Sequence, residues 1–115
     1  MAAVKANIDI GVLNQLDIRV GTITAVSDVE QSRKLLKLSV DFGSFTRTIL
    51  SAMRGERENP QEIVGKQALF VVNMAPRTMA GEVSEGMLFD LGYEDGMIPV
   101  LAQPEKQVPN GTRAG

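Results

Sequence analysis

The chain has 115 residues, a formal net charge of −2 at pH 7, and neither cysteine nor histidine. This length predicts one domain over residues 1–115, large enough to bury a core without cross-links. The absence of these two residue types excludes disulfides and thiolate catalysis, and removes the commonest zinc ligand and acid–base group.

The N-terminal segment does not have the pattern of a secretion signal, because Asp9 interrupts its apolar residues. No stretch of the sequence reaches the ~18 apolar residues of a membrane-spanning helix. We therefore expect a soluble protein of the cytoplasm that makes no contact with a membrane.

The charges are divided unevenly along the chain. Residues 33–77 contain eight basic and four acidic side chains, whereas residues 78–105 contain six acidic and no basic ones. Such a division can place a basic face, suited to nucleic acid, on an acidic protein. Ordinary solvated charge gives the same pattern, so both interpretations stay open at this point.

Three strands are predicted in the first half of the chain. Residues 18–26 (IRVGTITAV) are rich in β-branched side chains, and residues 35–42 alternate between apolar and polar ones. Gly43 allows a turn into a third strand over residues 45–51, so the last two strands form a hairpin. The apolar face of residues 35–42 consists of Leu36, Leu38, Val40 and Phe42.

A short helix and two strands are predicted next. Asn59 as the N-cap and Pro60 in the first turn indicate the helix. Residues 67–72 (QALFVV) are typical of a strand buried on both sides, and a loop over residues 73–82 leads to a strand over residues 84–91.

This order predicts an all-β fold, the five-stranded Greek-key barrel called the OB-fold, with its short helix between strands three and four. A turn at Gly96, a strand over residues 98–102 and a turn-rich tail form a C-terminal extension. An SH3-like barrel would share much of this pattern.

Few groups could support catalysis. The pairs Glu82 with Glu85 and Glu94 with Asp95 lie beside glycines, where solvated carboxylates are common. Phosphate-cradling glycine motifs are absent, and the spacing of Asp90, Glu94 and Asp95 does not match a calcium-binding loop. We therefore expect a protein that is not an enzyme and uses no metal or other cofactor.

The aromatic content indicates which kind of nucleic acid could bind. There are four Phe, one Tyr and no Trp, and Phe42, Phe70 and Phe89 are expected in the core. Single strands are bound by stacking on exposed rings, whereas folded RNA is recognised through phosphates, hydroxyls and shape. Side chains suited to folded RNA flank strands or lie in loops: Lys34, Lys37, Ser51, Arg54, Asn73, Arg77 and Ser84.

Residues 73–87 (NMAPRTMAGEVSEGM) resemble the N-x-x-P-[RK]-x-M-x-G-x-x-S-x-G-M motif of the EMAP-II-like tRNA-binding domain. This domain occurs at the end of methionyl-tRNA synthetases and as free bacterial tRNA-binding proteins. Residues 16–21 (LDIRVG), 34–38 (KLLKL) and 51–54 (SAMR) resemble parts of its first three strands. The similarity covers about residues 13–115.

The resemblance implies an OB-fold dimer that binds tRNA by shape, on the barrel face near strands three to five. The positions carried over as ligand-facing are Lys34, Ser51, Asn73, Arg77, Ser84 and Met87. Alternatives stay open for some of them. Met87 could belong to the core, and Ser84 and Asn73 could satisfy backbone groups at strand ends.

The ends of the chain resemble one subfamily. Residues 40–43 (VDFG), 103–104 (QP) and 108–113 (VPNGTR) are similar to CsaA, a dimeric chaperone-like bacterial protein linked to secretion. Residues 50–54 (LSAMR) depart from CsaA, which usually has Ser-Ser-Ala-Gln there. The resemblance at the two ends makes the binding of unfolded or presecretory peptides the alternative function. An adaptable groove for them could be lined by Met53, Met74 and Met79.

Apolar side chains outside the barrel predict self-association. The barrel accounts for about residues 16–91, which leaves the apolar segment 8–16 and a C-terminal group without a partner in a monomer. A twofold homodimer is the commonest solution. The C-terminal group consists of Ile98, Val100, Leu101 and Val108.

Overall fold

An antiparallel sheet that curls into a barrel of the OB type forms most of the protein in the computed structural model, which describes residues 2–115. A short helix, α1 (Ile10–Leu13), precedes the sheet, and two 3₁₀-helices lie at Pro60–Ile63 and Tyr93–Asp95. The strands in chain order are β1 (Ile18–Asp28), β2 (Leu36–Asp41), β3 (Thr46–Ser51), β4 (Gln67–Val71), β5 (Arg77–Met79), β6 (Glu82–Ser84), β7 (Met87–Leu88), β8 (Asp90–Leu91) and β9 (Val100–Leu101).

The predicted all-β OB-fold is confirmed. Five strands are hydrogen-bonded in the order β3-β2-β1-β4-β7, and β5 pairs with β6 and β8 with β9. The short helix lies between the third and fourth barrel strands, as expected. The Asn59 side chain accepts a hydrogen bond from the Gln61 N–H at 3.2 Å, which is the arrangement of an N-cap. Ile63 anchors this helix in the core.

The apolar face predicted for residues 35–42 lies at the centre of the core. Its four side chains, Leu36, Leu38, Val40 and Phe42, are fully buried. Phe42 packs edge-on against Phe70, with ring centroids 5.5 Å apart, a favourable arrangement for aromatic rings. The alternation leaves Lys37 and Ser39 on the other side of β2, where they are accessible.

The last barrel strand is interrupted, so the prediction of one strand over residues 84–91 is wrong. The segment is divided among β6, β7 and β8. Gly86 lies in the first break, where a Cβ atom would be 2.9 Å from the Val71 carbonyl oxygen. Leu88 takes the core position beyond the break, and Phe89, expected in the core, is 44% exposed.

The predicted loop over residues 73–82 contains most of a hairpin. Strands β5 and β6 pair from Arg77–Ser84 to Met79–Glu82. Ala80 and Gly81 connect them, and both have positive φ, 50° and 81°, as in a type I′ turn. The local sequence lacks the Asn-Gly or Asp-Gly pair that usually signals such a turn.

The C-terminal tail extends the sheet along the first part of β1, which β2 leaves unpaired. The N–H groups of Gly111 and Ala114 donate to the carbonyls of Val20 and Ile18, at 2.7 and 2.8 Å. The Val20 N–H in turn donates to the Thr112 carbonyl at 2.9 Å. The tail is therefore an ordered part of the barrel wall.

The close packing at Gly21 gives a test of this core. A Cβ atom at Gly21 would lie 2.5 Å from Val40 Cγ1 and 2.7 Å from Phe42 Cε1. Gly21→Ala should therefore lower the free energy of unfolding by about 1–3 kcal/mol, the usual cost of overpacking, as measured by urea denaturation. The control is Gly11→Ala in α1, where a Cβ has no neighbour within 4 Å. Equal destabilisation by the two variants would contradict the packing described.

Candidate nucleic-acid interface

Arg54 and Lys34 meet at the loop that joins β1 to β2, residues 29–35, called here the β1–β2 loop. The Arg54 N–H donates to the Lys34 carbonyl at 3.0 Å. The Arg54 guanidinium is occupied within the protein, since Nη1 donates to the Val29 and Ser32 carbonyls and Nη2 to Asp28 Oδ2 at 3.1 Å. The Lys34 side chain is exposed beside this network.

The β5–β6 hairpin carries Arg77 and lies against β3 and β2. Arg77 is exposed on β5. Lys37 Nζ forms an ion pair with Glu82 Oε2 at 3.2 Å, and both side chains are partly accessible to solvent. The hairpin therefore places Arg77 on the outer surface. Its second strand, β6, supplies the carboxylate that pairs with Lys37.

Ser84 is only 4% exposed. Its Oγ accepts a hydrogen bond from the Leu50 N–H at 3.0 Å and donates one to the Gly86 carbonyl at 3.0 Å. The hydroxyl is thus occupied, and it holds the hairpin to β3. Ser51, the last residue of β3, is half-buried and pairs with Leu36 on β2.

Asn73 follows β4 and fixes the segment between α1 and β1. Its Oδ1 accepts from the Asp17 N–H at 2.8 Å, and its Nδ2 donates to the Gln15 carbonyl at 2.6 Å. Since Asp17 adjoins the start of β1 and Lys34 lies beyond its end, Asn73 is separated from Lys34 by the length of that strand. Asn73 and Lys34 lie at opposite ends of the eleven-residue strand β1.

The methionines considered as ligand contacts differ in exposure. Met87 is 45% exposed on β7, so it is not a core residue. Met74 is exposed to a similar degree, and Met79 is half-buried. Met53 is 1% exposed and packs in the core, so the expectation that it lines a peptide groove is wrong.

A cluster that the sequence did not reveal lies at the start of β1. The guanidinium carbons of Arg47 and Arg19 lie 5.0 and 5.7 Å from the centroid of the Phe45 ring, within cation–π range. Arg47 Nη1 also donates to the Glu85 carbonyl at 2.9 Å. The Arg19 guanidinium donates to both carboxylate oxygens of Asp17 and, through these hydrogen bonds, lowers the pKa of Asp17.

The carboxylates considered for catalysis or metal binding do not form such a site in residues 2–115. Glu85 Oε1 accepts from the Thr48 N–H at 3.0 Å, so both members of the Glu82–Glu85 pair have partners within the protein. Residues 2–115 contain no group of three or more Asp or Glu side chains that could hold a metal ion. None of the helices described is long and apolar enough to cross a membrane.

Comparisons with known proteins identify the family. Residues 18–113 match the family model described as "Putative tRNA binding domain". A methionine–tRNA ligase of Bacteroides fragilis is 40% identical over 109 residues, which are 95% of this chain and 16% of the ligase. One from Chlorobium luteolum is 42% identical over 97 residues, 84% of this chain and 14% of the ligase. The chain thus spans about a sixth of the length of these relatives.

Solved structures agree with this match. A protein related to methionyl-tRNA synthetase from Pyrococcus horikoshii superposes with a TM-score of 0.87 at 32% identity, covering 96% of this chain and all of that one. The chaperone CsaA of Bacillus anthracis superposes with a TM-score of 0.82 at 32% identity and the same coverage. The family match over residues 18–113, on the barrel described above, shows that this chain belongs to the tRNA-binding domain family.

Proposed function

We propose that this chain binds folded tRNA through phosphate and shape contacts and catalyses no reaction itself. The observation that carries the proposal is the exposure of Lys34 and Arg77 on a barrel of the tRNA-binding family. The lack of cysteine and histidine supports a non-catalytic role. The proposal covers residues 1–115 as one tRNA-binding domain that acts in the cytoplasm, where tRNA is found.

The proposed site consists of direct contacts and of residues that hold them in place. Side chains that are at least partly accessible supply the contacts: Lys34, Lys37, Ser51, Arg77 and Met87. Asn73 and Ser84 act through the backbone groups that they bind. Arg54 is also committed to backbone groups.

Folded tRNA should bind more tightly than an unstructured RNA of equal length, with an affinity that falls as salt rises, because neutralised phosphates release counterions. Lys34→Ala and Arg77→Ala should each weaken binding and flatten the slope of log K against log[salt] by up to about one unit. Fluorescence anisotropy over a range of salt concentrations measures both quantities.

Glu94→Ala is the control, because Glu94 is exposed in the acidic segment and its loss should not weaken binding. Equal affinity for tRNA and the unstructured RNA would overturn the proposed recognition by shape. Weaker binding by Glu94→Ala than by Arg77→Ala would show that the basic side chains are only solvated charge.

Peptide binding is the second candidate, favoured by the similarity to CsaA chaperones and by the exposure of Met74 and Met87. Burial of apolar side chains is not screened by salt as phosphate contacts are. In the same assay, an apolar presecretory-type peptide that binds with little salt dependence would support this function. An absence of binding at millimolar peptide would remove it.

The ion pair between Lys37 and Glu82 gives a second test of the RNA site. Lys37 Nζ and Glu82 Oε2 are 3.2 Å apart at an accessible surface, so a phosphate must compete with Glu82 for Lys37. Glu82→Gln should therefore tighten tRNA binding and steepen the salt slope by up to about one unit. Glu62→Gln, which removes the acidic partner of Arg57 instead, is the matched control. If Glu82→Gln bound more weakly than wild type, Lys37 would not be a phosphate contact.

We further propose that the chain forms a homodimer through apolar side chains left exposed outside the barrel. They belong to α1 and the segment from β7 to β9, and include Ile10, Leu13, Phe89, Leu91, Tyr93, Ile98 and Val100. Exposed apolar patches often mark protein–protein interfaces, and a twofold interface would cover these side chains.

Sedimentation at micromolar concentration should give twice the chain mass of 12.4 kDa. Ile98→Asp should shift the protein to monomer, because it places a charge within the proposed interface. Val64→Asp, at an exposed apolar residue beyond the Pro60–Ile63 helix, should leave the dimer intact. A wild-type protein that sediments as a monomer would refute the proposal.

A further inference from the structure

The β1–β2 loop is hydrogen-bonded within itself and to Arg54, which lies outside it. Within the loop, the Ser32 N–H donates to the Val29 carbonyl at 3.0 Å, and Ser32 Oγ accepts from the N–H groups of Lys34 and Leu35. The Val29, Ser32 and Lys34 carbonyls all accept from Arg54, two from its guanidinium and the third from its backbone N–H. Arg54 thus contacts the loop along most of its length.

The Arg54 guanidinium has little left to offer a ligand. Its Nη2 binds Asp28 Oδ2 at 3.1 Å, which offsets its charge, and its side chain is 32% exposed. Arg33 and Lys34, in contrast, are both exposed within the loop that Arg54 holds. The charge available to an anion is therefore in the loop, and the geometry that presents it comes from Arg54.

We propose that Arg54 is a positioning residue, which fixes the β1–β2 loop so that Arg33 and Lys34 meet the phosphate groups of the RNA backbone. A loop ordered before binding avoids the loss of conformational entropy that a mobile one suffers on binding. This inference rests on the proposed tRNA binding and adds Arg33 to the contacts.

A lysine at this position separates positioning from direct contact. The planar guanidinium donates to two carbonyls and a carboxylate at once, whereas an ammonium group keeps the charge but not this geometry. If Arg54 positions the loop, Arg54→Lys should bind tRNA as weakly as Arg54→Ala does. If Arg54 binds a phosphate, Arg54→Lys should behave like wild type.

The experiment measures amide hydrogen exchange in the free protein and salt-dependent binding of tRNA for both variants. We expect faster exchange at Leu35, because its N–H is protected by a bond within the loop, and an affinity about tenfold lower for both variants. The salt slope of Arg54→Lys should stay near that of wild type, since Arg33 and Lys34 still reach the phosphates. Arg33→Ala should flatten the slope.

Arg57→Lys is the matched control. Arg57 also binds a carboxylate and a carbonyl, those of Glu62 and Pro99, but these lie outside the β1–β2 loop. It should leave Leu35 exchange and tRNA affinity unchanged. Unchanged exchange at the core amide of Leu38 would show that the Arg54 variants remain folded.

Two results would overturn the inference: wild-type affinity in Arg54→Lys with a flattened slope in Arg54→Ala, or unchanged Leu35 exchange in both. A failure of the proposed function is distinct, because it would appear as an absence of tRNA binding by the wild-type protein. The inferred contact of Arg33 and Lys34 with RNA would then fail as well.

Discussion

The barrel closes at β3, where side chains rather than the backbone of a neighbouring strand accept hydrogen bonds from the strand. These side chains belong to two consecutive residues, Ser84 and Glu85. Leu50 and Thr48 on β3 donate their N–H groups to Ser84 Oγ and Glu85 Oε1, at 3.0 Å in both cases, and the Glu85 N–H returns a bond to the Thr48 carbonyl at 2.8 Å. The Leu50 bond is buried, and a buried N–H without a partner costs about 1–3 kcal/mol. The β5–β6 hairpin, which carries Arg77, is held against β3 by these bonds. In the proposed site, Ser84 would therefore act indirectly, from inside the protein.

The same distinction applies to the basic side chains. Arg47, Arg54 and Arg57 all donate to carbonyl groups of the protein, and Lys37 is paired with Glu82. Half of the basic residues in the segment 33–77 are therefore used by the fold. A charge count along the sequence measures the supply of basic groups, but only the hydrogen-bond partners show which of them a phosphate can reach.

Sequence patterns predicted those elements that are determined by residues close together in the chain. The alternation in residues 35–42 follows from one face being buried, and Asn59 caps its helix through a neighbouring N–H. The break at Gly86 depends on the approach of Val71, which is distant in sequence. The hydrogen bonds of Arg54 likewise go to a loop that is distant in sequence. Sequence similarity includes Ser84 and Asn73 in the proposed site, but it could not distinguish contact with a ligand from support of the backbone.

The net charge of −2 is at first sight unfavourable for binding a polyanion. At physiological ionic strength, however, charges are screened beyond ~8 Å, so a phosphate near Arg33 and Lys34 responds mainly to its close neighbours. A twofold dimer would present this basic loop twice, and a tRNA that reached both copies would gain avidity without any new type of contact. Such a dimer would cover the exposed apolar side chains and would present two copies of the basic loop to one tRNA.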